Sequence, residues 1–153
     1  MVIDMTRIEE AVNNFKSGYN CSSAVVRAYA EDFGMDKELA VRAMEGFGGG
    51  IGRMRKTCGA VSGVVFLAGL KLSSGDECDQ QNRAKLYATV QDMIHEFESM
   101  NGSSECGDLL MGIRIDNSTP TPEKRTEGYY KKRPCAGCVE DCARIVEKYL
   151  VGI

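Results

Sequence analysis

The chain of 153 residues has the length of one ordinary domain, and its 43% hydrophobic and 27% charged residues are typical of a globular protein. A net charge of −3 gives no electrostatic reason to expect nucleic acid or an anionic membrane as a partner. The N-terminus lacks the layout of a signal peptide, and the most apolar stretch, Ala60 to Leu72, is too short to cross a bilayer. Seven cysteines without an export signal predict a cytoplasmic protein, in which thiols serve metal binding or catalysis more often than structural bridges.

Apolar residues recur at helical spacing through nearly the whole chain, and no alternating pattern is long enough to predict a strand. We therefore expect an all-α, single-domain bundle of six or seven helices over residues 1–153. The helix from Ala60 to Leu70 is apolar on nearly every side, so it should be central and the most buried segment. Gly59 and Gly63, one turn apart, would let another backbone approach it closely. Residues 113–133 read as irregular, and the predicted helices are Asp4–Ser17, Asn20–Phe33, Lys37–Gly46, a fourth capped by Thr57, Asp76–Met100, Glu105–Met111 and Cys135–Leu150.

Six of the cysteines fall where a helix is predicted to begin. A helix start presents unpaired N–H groups and a partial positive charge, which favour the thiolate form of a cysteine. The thiolate is both the nucleophile and the metal ligand, so this placement indicates redox or metal chemistry rather than core filling. The six are Cys21, Cys58, Cys78, Cys106, Cys135 and Cys138.

The strongest local signal is a glycine-rich segment, Gly46 to Gly52, that leads to Cys58. Its glycines allow the chain to wrap closely around a bound group. Arg53, Arg55 and Lys56 add positive charge, so we expect the pKa of Cys58 to lie below the usual value of about 8.5. The segment does not match a nucleotide-binding glycine motif. The glycines predicted to contact a cofactor are Gly48, Gly49, Gly50 and Gly59.

A second cysteine group lies near the C-terminus. Cys135 and Cys138 form a Cys-x-x-Cys pair, which suits either a redox dithiol or part of a metal site. Cys142, one turn later, is expected to pack in the core. Cys78 has acidic neighbours and is expected to be a surface thiol.

The segments that contain these cysteines and glycines resemble the C_GCAxxG_C_C family of redox-active cysteine proteins. The resemblance implies a small, mostly helical protein, and it implies Cys21, Cys58, Cys106 and Cys135 as the working set, with Cys138 or Cys142 able to replace Cys135. Similar modules occur beside electron-transfer domains, which favours a metal cluster. The chain reads Cys-Gly-Ala where the family label reads Gly-Cys-Ala. The matching segments are Gly18 to Val25, Gly48 to Gly63, Gly102 to Leu110, and Cys135 with Val139.

Three functions follow from these residues. The first is an iron–sulfur protein for electron transfer, because thiolates are the usual cluster ligands. The second is a thiol–disulfide oxidoreductase in which Cys58 attacks and Cys21 or Cys106 resolves the mixed disulfide. The third is a structural zinc protein or a partner-binding helical bundle. The expected partner is a redox protein, and the chain could also pair with a second copy as a homodimer.

Overall fold

The computed structural model describes residues 5–111 and 119–152 and confirms the all-α prediction. Within these ranges there are eight α-helices and no strand, and an isolated bridge pairs Thr57 with Glu105. Single 3₁₀ turns extend the second and third helices. The helices are α1 (Arg7–Lys16), α2 (Cys21–Tyr29), α3 (Lys37–Met44), α4 (Gly59–Leu72), α5 (Gln80–Asn101), α6 (Cys106–Leu109), α7 (Glu127–Lys132) and α8 (Cys135–Tyr149).

Polar side chains fix where several helices begin. Thr6 caps α1 with a full capping box, and Asn20 caps α2 by accepting from the N–H of Ser23. The predicted start of α1 at Asp4 lies outside the described residues. Asp79 caps α5, so this helix begins at Gln80, four residues later than predicted, and Cys78 lies in the turn before it.

Helix α2 is the most completely buried segment, although α4 was predicted to be. In α2 and the residue after it, only Cys21 and Arg27 are not buried. Helix α4 is central, packing against α2, α5 and α8, but Leu70 near its end is exposed. The prediction was wrong because α4 turns one end toward solvent, whereas α2 is enclosed by α1, α3, α4 and α8.

Two glycines of α4 allow its close contact with α2, as predicted. A Cβ on Gly63 would lie 3.1 Å from the carbonyl oxygen of Ser22. A Cβ on Gly59 would lie 3.0 Å from the carbonyl oxygen of Phe47 and 3.3 Å from the backbone nitrogen of Ser22. Small residues here bring the beginnings of the two helices together.

The segment predicted to be irregular contains a helix. Residues 113–118 lie outside the described part of the chain, residues 121–126 have no regular structure, and α7 follows. Thr126 caps α7 by accepting from the N–H of Tyr129, a signal that the sequence reading overlooked. Among residues 5–111 and 119–152, no helix has the length and apolar character needed to cross a membrane.

Candidate functional site: a cleft lined by cysteines

Five cysteines meet at one cleft of about 830 Å³. They come from four separate helix beginnings, so the fold brings together residues that are far apart in the sequence. Cys78 is exposed on another part of the surface, and Cys142 is buried in the core, both as expected. The cysteines that line the cleft are Cys21, Cys58, Cys106, Cys135 and Cys138.

Asn20 positions Cys21 by tying the start of α2 to the glycine segment. Its side-chain oxygen accepts from the N–H of Ser23 at 2.9 Å, and its amide nitrogen donates to the carbonyl oxygen of Glu45 at 2.8 Å. A Cβ on Gly48 would lie only 2.4 Å from that amide nitrogen, so the glycine makes room for the link. Cys21 therefore starts its helix directly beside the glycine segment.

A short antiparallel pairing holds Cys58 next to Cys106. The N–H of Cys58 donates to the carbonyl oxygen of Ser104 at 2.7 Å, and the N–H of Cys106 donates to that of Lys56 at 2.6 Å. Gly107 adds a third bond, to the carbonyl oxygen of Arg55 at 3.1 Å. These backbone bonds join two segments about fifty residues apart and place one cysteine on each side.

Helix α8 supplies the remaining two cysteines in its first turn. Cys135 is the first residue of the helix and is half-buried, and Cys138, the fourth residue, is buried. The Cys138 thiol lies close enough to that of Cys58 to raise its pKa. The sequence left Cys138 open between ligand and redox thiol, and the structure places it with the other cleft cysteines.

The four glycines predicted to contact a cofactor all lie at this site. Gly48, Gly49 and Gly59 line the cleft. Gly50 lies just behind it, where an added Cβ would be 2.5 Å from the Cβ of Cys106. An added Cβ on Gly59 would be 2.5 Å from the sulfur of Cys21. Side chains at these positions would fill the space beside the cysteines.

The prediction that Cys58 has a low pKa is wrong. The interaction with the Cys138 thiol and burial raise its pKa well above the usual value. The backbone N–H groups of Ala60 and Val61 oppose this rise, as expected at a helix start, but they do not outweigh it. Lys56, one of the three basic residues invoked, is exposed to solvent.

Burial also raises the pKa values of Cys21, Cys106 and Cys135. Burial is the main cause that raises the pKa of Cys21 to about 11 and that of Cys135 to about 12. Electrostatic repulsion between neighbouring thiolates raises both pKa values further. Without a bound cation, these cysteines are neutral thiols at physiological pH.

Arginine side chains surround the cleft. Nη1 of Arg55 lies 3.7 Å from the sulfur of Cys106 and lowers the pKa of that thiol in opposition to burial. Arg133 acts in the same direction on Cys106 and Cys135. In the part of the chain that the structure describes, the charged residues that line the cleft are four arginines and two glutamates, so positive charges outnumber negative ones: Arg53, Arg55, Arg125, Arg133, Glu45 and Glu123.

Sequence reasoning missed several other residues that line the cleft. Arg125, Tyr129 and Arg133 belong to the region that was read only as an irregular loop. The signal that could have pointed to them is the recurrence of arginine and tyrosine between Arg125 and Arg133, a composition that is unusual for a solvated linker.

Comparison with protein families identifies the family of this chain. The model of the family described as "Putative redox-active protein (C_GCAxxG_C_C)" matches residues 19–149, a span that includes all five cleft cysteines. Neither the curated proteins nor the solved structures give a significant match. The family match covers most of the chain, and the chain therefore belongs to the C_GCAxxG_C_C family of redox-active proteins.

Proposed function

We propose that this protein binds an iron–sulfur cluster for electron transfer, with Cys21, Cys58, Cys106 and Cys135 as ligands. The observation that carries the proposal is the convergence of cysteines from four helix beginnings on one cleft. Thiolates are the usual ligands of such clusters, which supply one-electron transfer when bound. Cys138 is the candidate to replace Cys135.

The charge of the cleft favours this group. Four thiolates and a cluster together carry negative charge, and the surplus of arginine in the lining would balance it. Arg55 lies against Cys106 in a position to stabilise the thiolate form. Backbone N–H groups of Gly49 and Ser22 act on the sulfur of Cys21 in the same sense. Such N–H and charge interactions tune the potential of a bound cluster.

The spacing of the sulfur atoms counts against a single zinc ion. Four thiolates around zinc lie about 3.8 Å from one another, as follows from a Zn–S bond of about 2.3 Å in a tetrahedron. Among the described residues, no three cleft cysteines bring their sulfur atoms within 4.8 Å of one another. A zinc site would require the cleft to contract, whereas a cluster separates its ligands.

Thiol–disulfide exchange is the second candidate, supported by the contact between Cys58 and Cys138. In this version Cys138, rather than Cys21 or Cys106, would resolve a mixed disulfide formed at Cys58. The raised pKa values of the cleft cysteines count against it, because the attacking species in exchange is the thiolate. We therefore rank it below the cluster.

The test is an anaerobic preparation in which iron, zinc and acid-labile sulfide are assayed together with the visible spectrum. A cluster predicts iron and sulfide in equal amounts and absorption in the visible range that bleaches on reduction. Zinc alone in a colourless protein would support the structural alternative. A colourless, metal-free protein that reduces a disulfide substrate, and loses this activity in Cys138→Ser, would support thiol–disulfide exchange.

A further inference from the structure

Part of the cleft lining is a polar segment, residues 119–126, called the strap below. Pro120, Pro122, Glu123 and Arg125 of the strap line the cleft. The strap has no helix or strand, and none of its residues is buried. A segment with so little buried surface is held by individual polar contacts, and such segments open at low free-energy cost.

Arg53 fastens the N-terminal part of the strap to the glycine segment. Its Nη1 donates to the carbonyl oxygen of Thr119 at 2.7 Å and to that of Thr121. Its Nη2 lies 3.6 Å from a carboxylate oxygen of Glu123, which also pairs with Arg133. We call these contacts of Arg53 the latch, because they join two segments that both line the cleft.

Arg125 holds the other end of the strap to α1. It donates to the carbonyl oxygens of Phe15 at 3.3 Å and of Tyr19 at 3.2 Å. Its guanidinium also lies over the rings of Phe15 and Tyr129, 4.7 and 4.8 Å from their centres. Aromatic contacts therefore add to the charged hydrogen bonds at this end, whereas the contacts of Arg53 described above are polar. We call the Arg125 end the hinge of the strap, because aromatic packing there adds to the polar contacts.

The strap lines the same cleft as the five cysteines, each of which is buried or half-buried. Cys58, Cys106 and Cys138 are 6%, 8% and 2% exposed. Any group that reaches them, whether an inorganic ion or a partner thiol, needs a path into the cleft. The strap is the part of the cleft lining that can move without disturbing the packed helices.

We propose that the strap opens about its Arg125 end when the Arg53 latch is released, and that this opening controls access to the cysteine cleft. The latch joins the glycine segment to the strap. Its loss would therefore separate these two segments, while the helices that carry the cysteines stay packed. This gating applies to whichever group the cysteines hold, so it stands apart from the proposed function.

The test measures alkylation of the metal-free, reduced protein by N-ethylmaleimide, with the rate at each cysteine read by mass spectrometry. Arg53→Gln removes the latch. Arg7→Gln is the matched control, because Arg7 also makes two ion-pair contacts, with Glu10 and Asp32, but away from the cleft. Loss of a positive charge near the cleft would by itself reduce thiolate formation and slow the reaction, so a faster rate reports access.

We expect Arg53→Gln to raise the rates at Cys21 and Cys135 about five- to tenfold, the scale of losing one charged contact, and to leave Cys142 unchanged. Arg7→Gln should leave all three rates unchanged. Unchanged rates at Cys21 and Cys135, or an equal rise at Cys142, would overturn the proposal. Should Arg53→Gln fail to fold, a salt series on the unaltered protein replaces it. Salt should then raise the Cys21 and Cys135 rates relative to Cys142, and parallel rates would contradict the latch.

Discussion

The packed helices and the mouth of the cleft are held together by different forces. Helices α2, α4 and α8 meet through fully buried apolar side chains such as Val25, Leu67 and Val146. The mouth, formed by the glycine segment and the strap, depends on backbone hydrogen bonds and arginine contacts. The five cleft cysteines lie at or near the beginnings of helices and line the cleft. This division lets a rigid scaffold fix the sulfur atoms while the access route remains adjustable, and each prediction below changes one side of it.

The largest effect is expected from a charge placed in the packed helices. Leu67 is fully buried between α4 and its neighbours, so Leu67→Asp would bury a carboxylate without a partner. We expect a loss of about 4 kcal/mol or more in the free energy of unfolding, enough to prevent soluble expression. The matched change at the mouth, Pro122→Asp at an exposed position, should cost less than about 0.5 kcal/mol. A well-folded Leu67→Asp protein in a thermal melt would show that α4 is not part of the core.

Gly59→Ala tests the junction between scaffold and cleft. The added methyl group would lie 2.5 Å from the sulfur of Cys21 and 3.0 Å from the carbonyl oxygen of Phe47, so the backbone must shift. We expect a loss of about 1–3 kcal/mol in chemical denaturation of the metal-free protein.

Gly69→Ala, in the same helix with nothing within 4 Å of the added group, serves as the control. It should be neutral or stabilise by about 0.5–1 kcal/mol, because alanine favours the helix. If both variants lose equal stability, close approach at Gly59 is not the reason that glycine occupies the position.

The raised thiol pKa values predict that the metal-free protein loses stability at alkaline pH. A thiol whose folded pKa is higher than its unfolded pKa binds its proton more tightly when folded. Its stabilising contribution is therefore full below the unfolded value of about 8.5 and declines as the pH rises toward the folded value, about 11 for Cys21 and about 12 for Cys135. Above pH 8.5 each thiol should lower the free energy of unfolding by up to about 1.4 kcal/mol per pH unit.

Urea denaturation between pH 7.5 and 10 measures this slope. Cys135→Ser should reduce it, because a serine hydroxyl does not titrate in this range. A slope that is the same in Cys135→Ser and in the unaltered protein would show that burial of this thiol is not what couples stability to pH.

The smallest effect concerns backbone strain at the mouth. Ile51 has a φ of 64°, a conformation that costs a β-branched residue about 1–2 kcal/mol. Because Ile51 is also exposed, Ile51→Gly should raise the free energy of unfolding by about 1 kcal/mol. The nearby exposed Met54 has no positive φ, so Met54→Gly should instead cost about 0.5–1 kcal/mol. Destabilisation by both substitutions would contradict strain at Ile51.

Much of the scaffold could be predicted because its signals are local. The cap Asn20 and the helical spacing of apolar residues indicate where helices lie, and the family resemblance implied four of the cysteines that meet. The site was harder to predict because it is made by contacts between distant segments. The pairing of residues 55–58 with 104–107 leaves no trace in either segment alone.

The error about Cys58 has the same origin. The helix start and the basic neighbours are visible in the sequence, and both favour a low pKa. Burial and the contact with Cys138, which arrives from α8, act more strongly in the other direction. Helix α7 and the strap were missed because arginine, proline and threonine there stabilise tertiary contacts rather than a periodic pattern.

The most direct test of the central claim, that cysteines from separate helix beginnings hold one cluster, compares serine substitutions after anaerobic reconstitution. The measurement is the amount of iron and acid-labile sulfide bound per chain in Cys106→Ser and Cys142→Ser. Cys106 lines the cleft and Cys142 is packed in the core. We predict that Cys106→Ser loses most of the bound iron and sulfide and that Cys142→Ser retains them. Equal retention in the two variants, or no iron in the unaltered protein, would contradict the account.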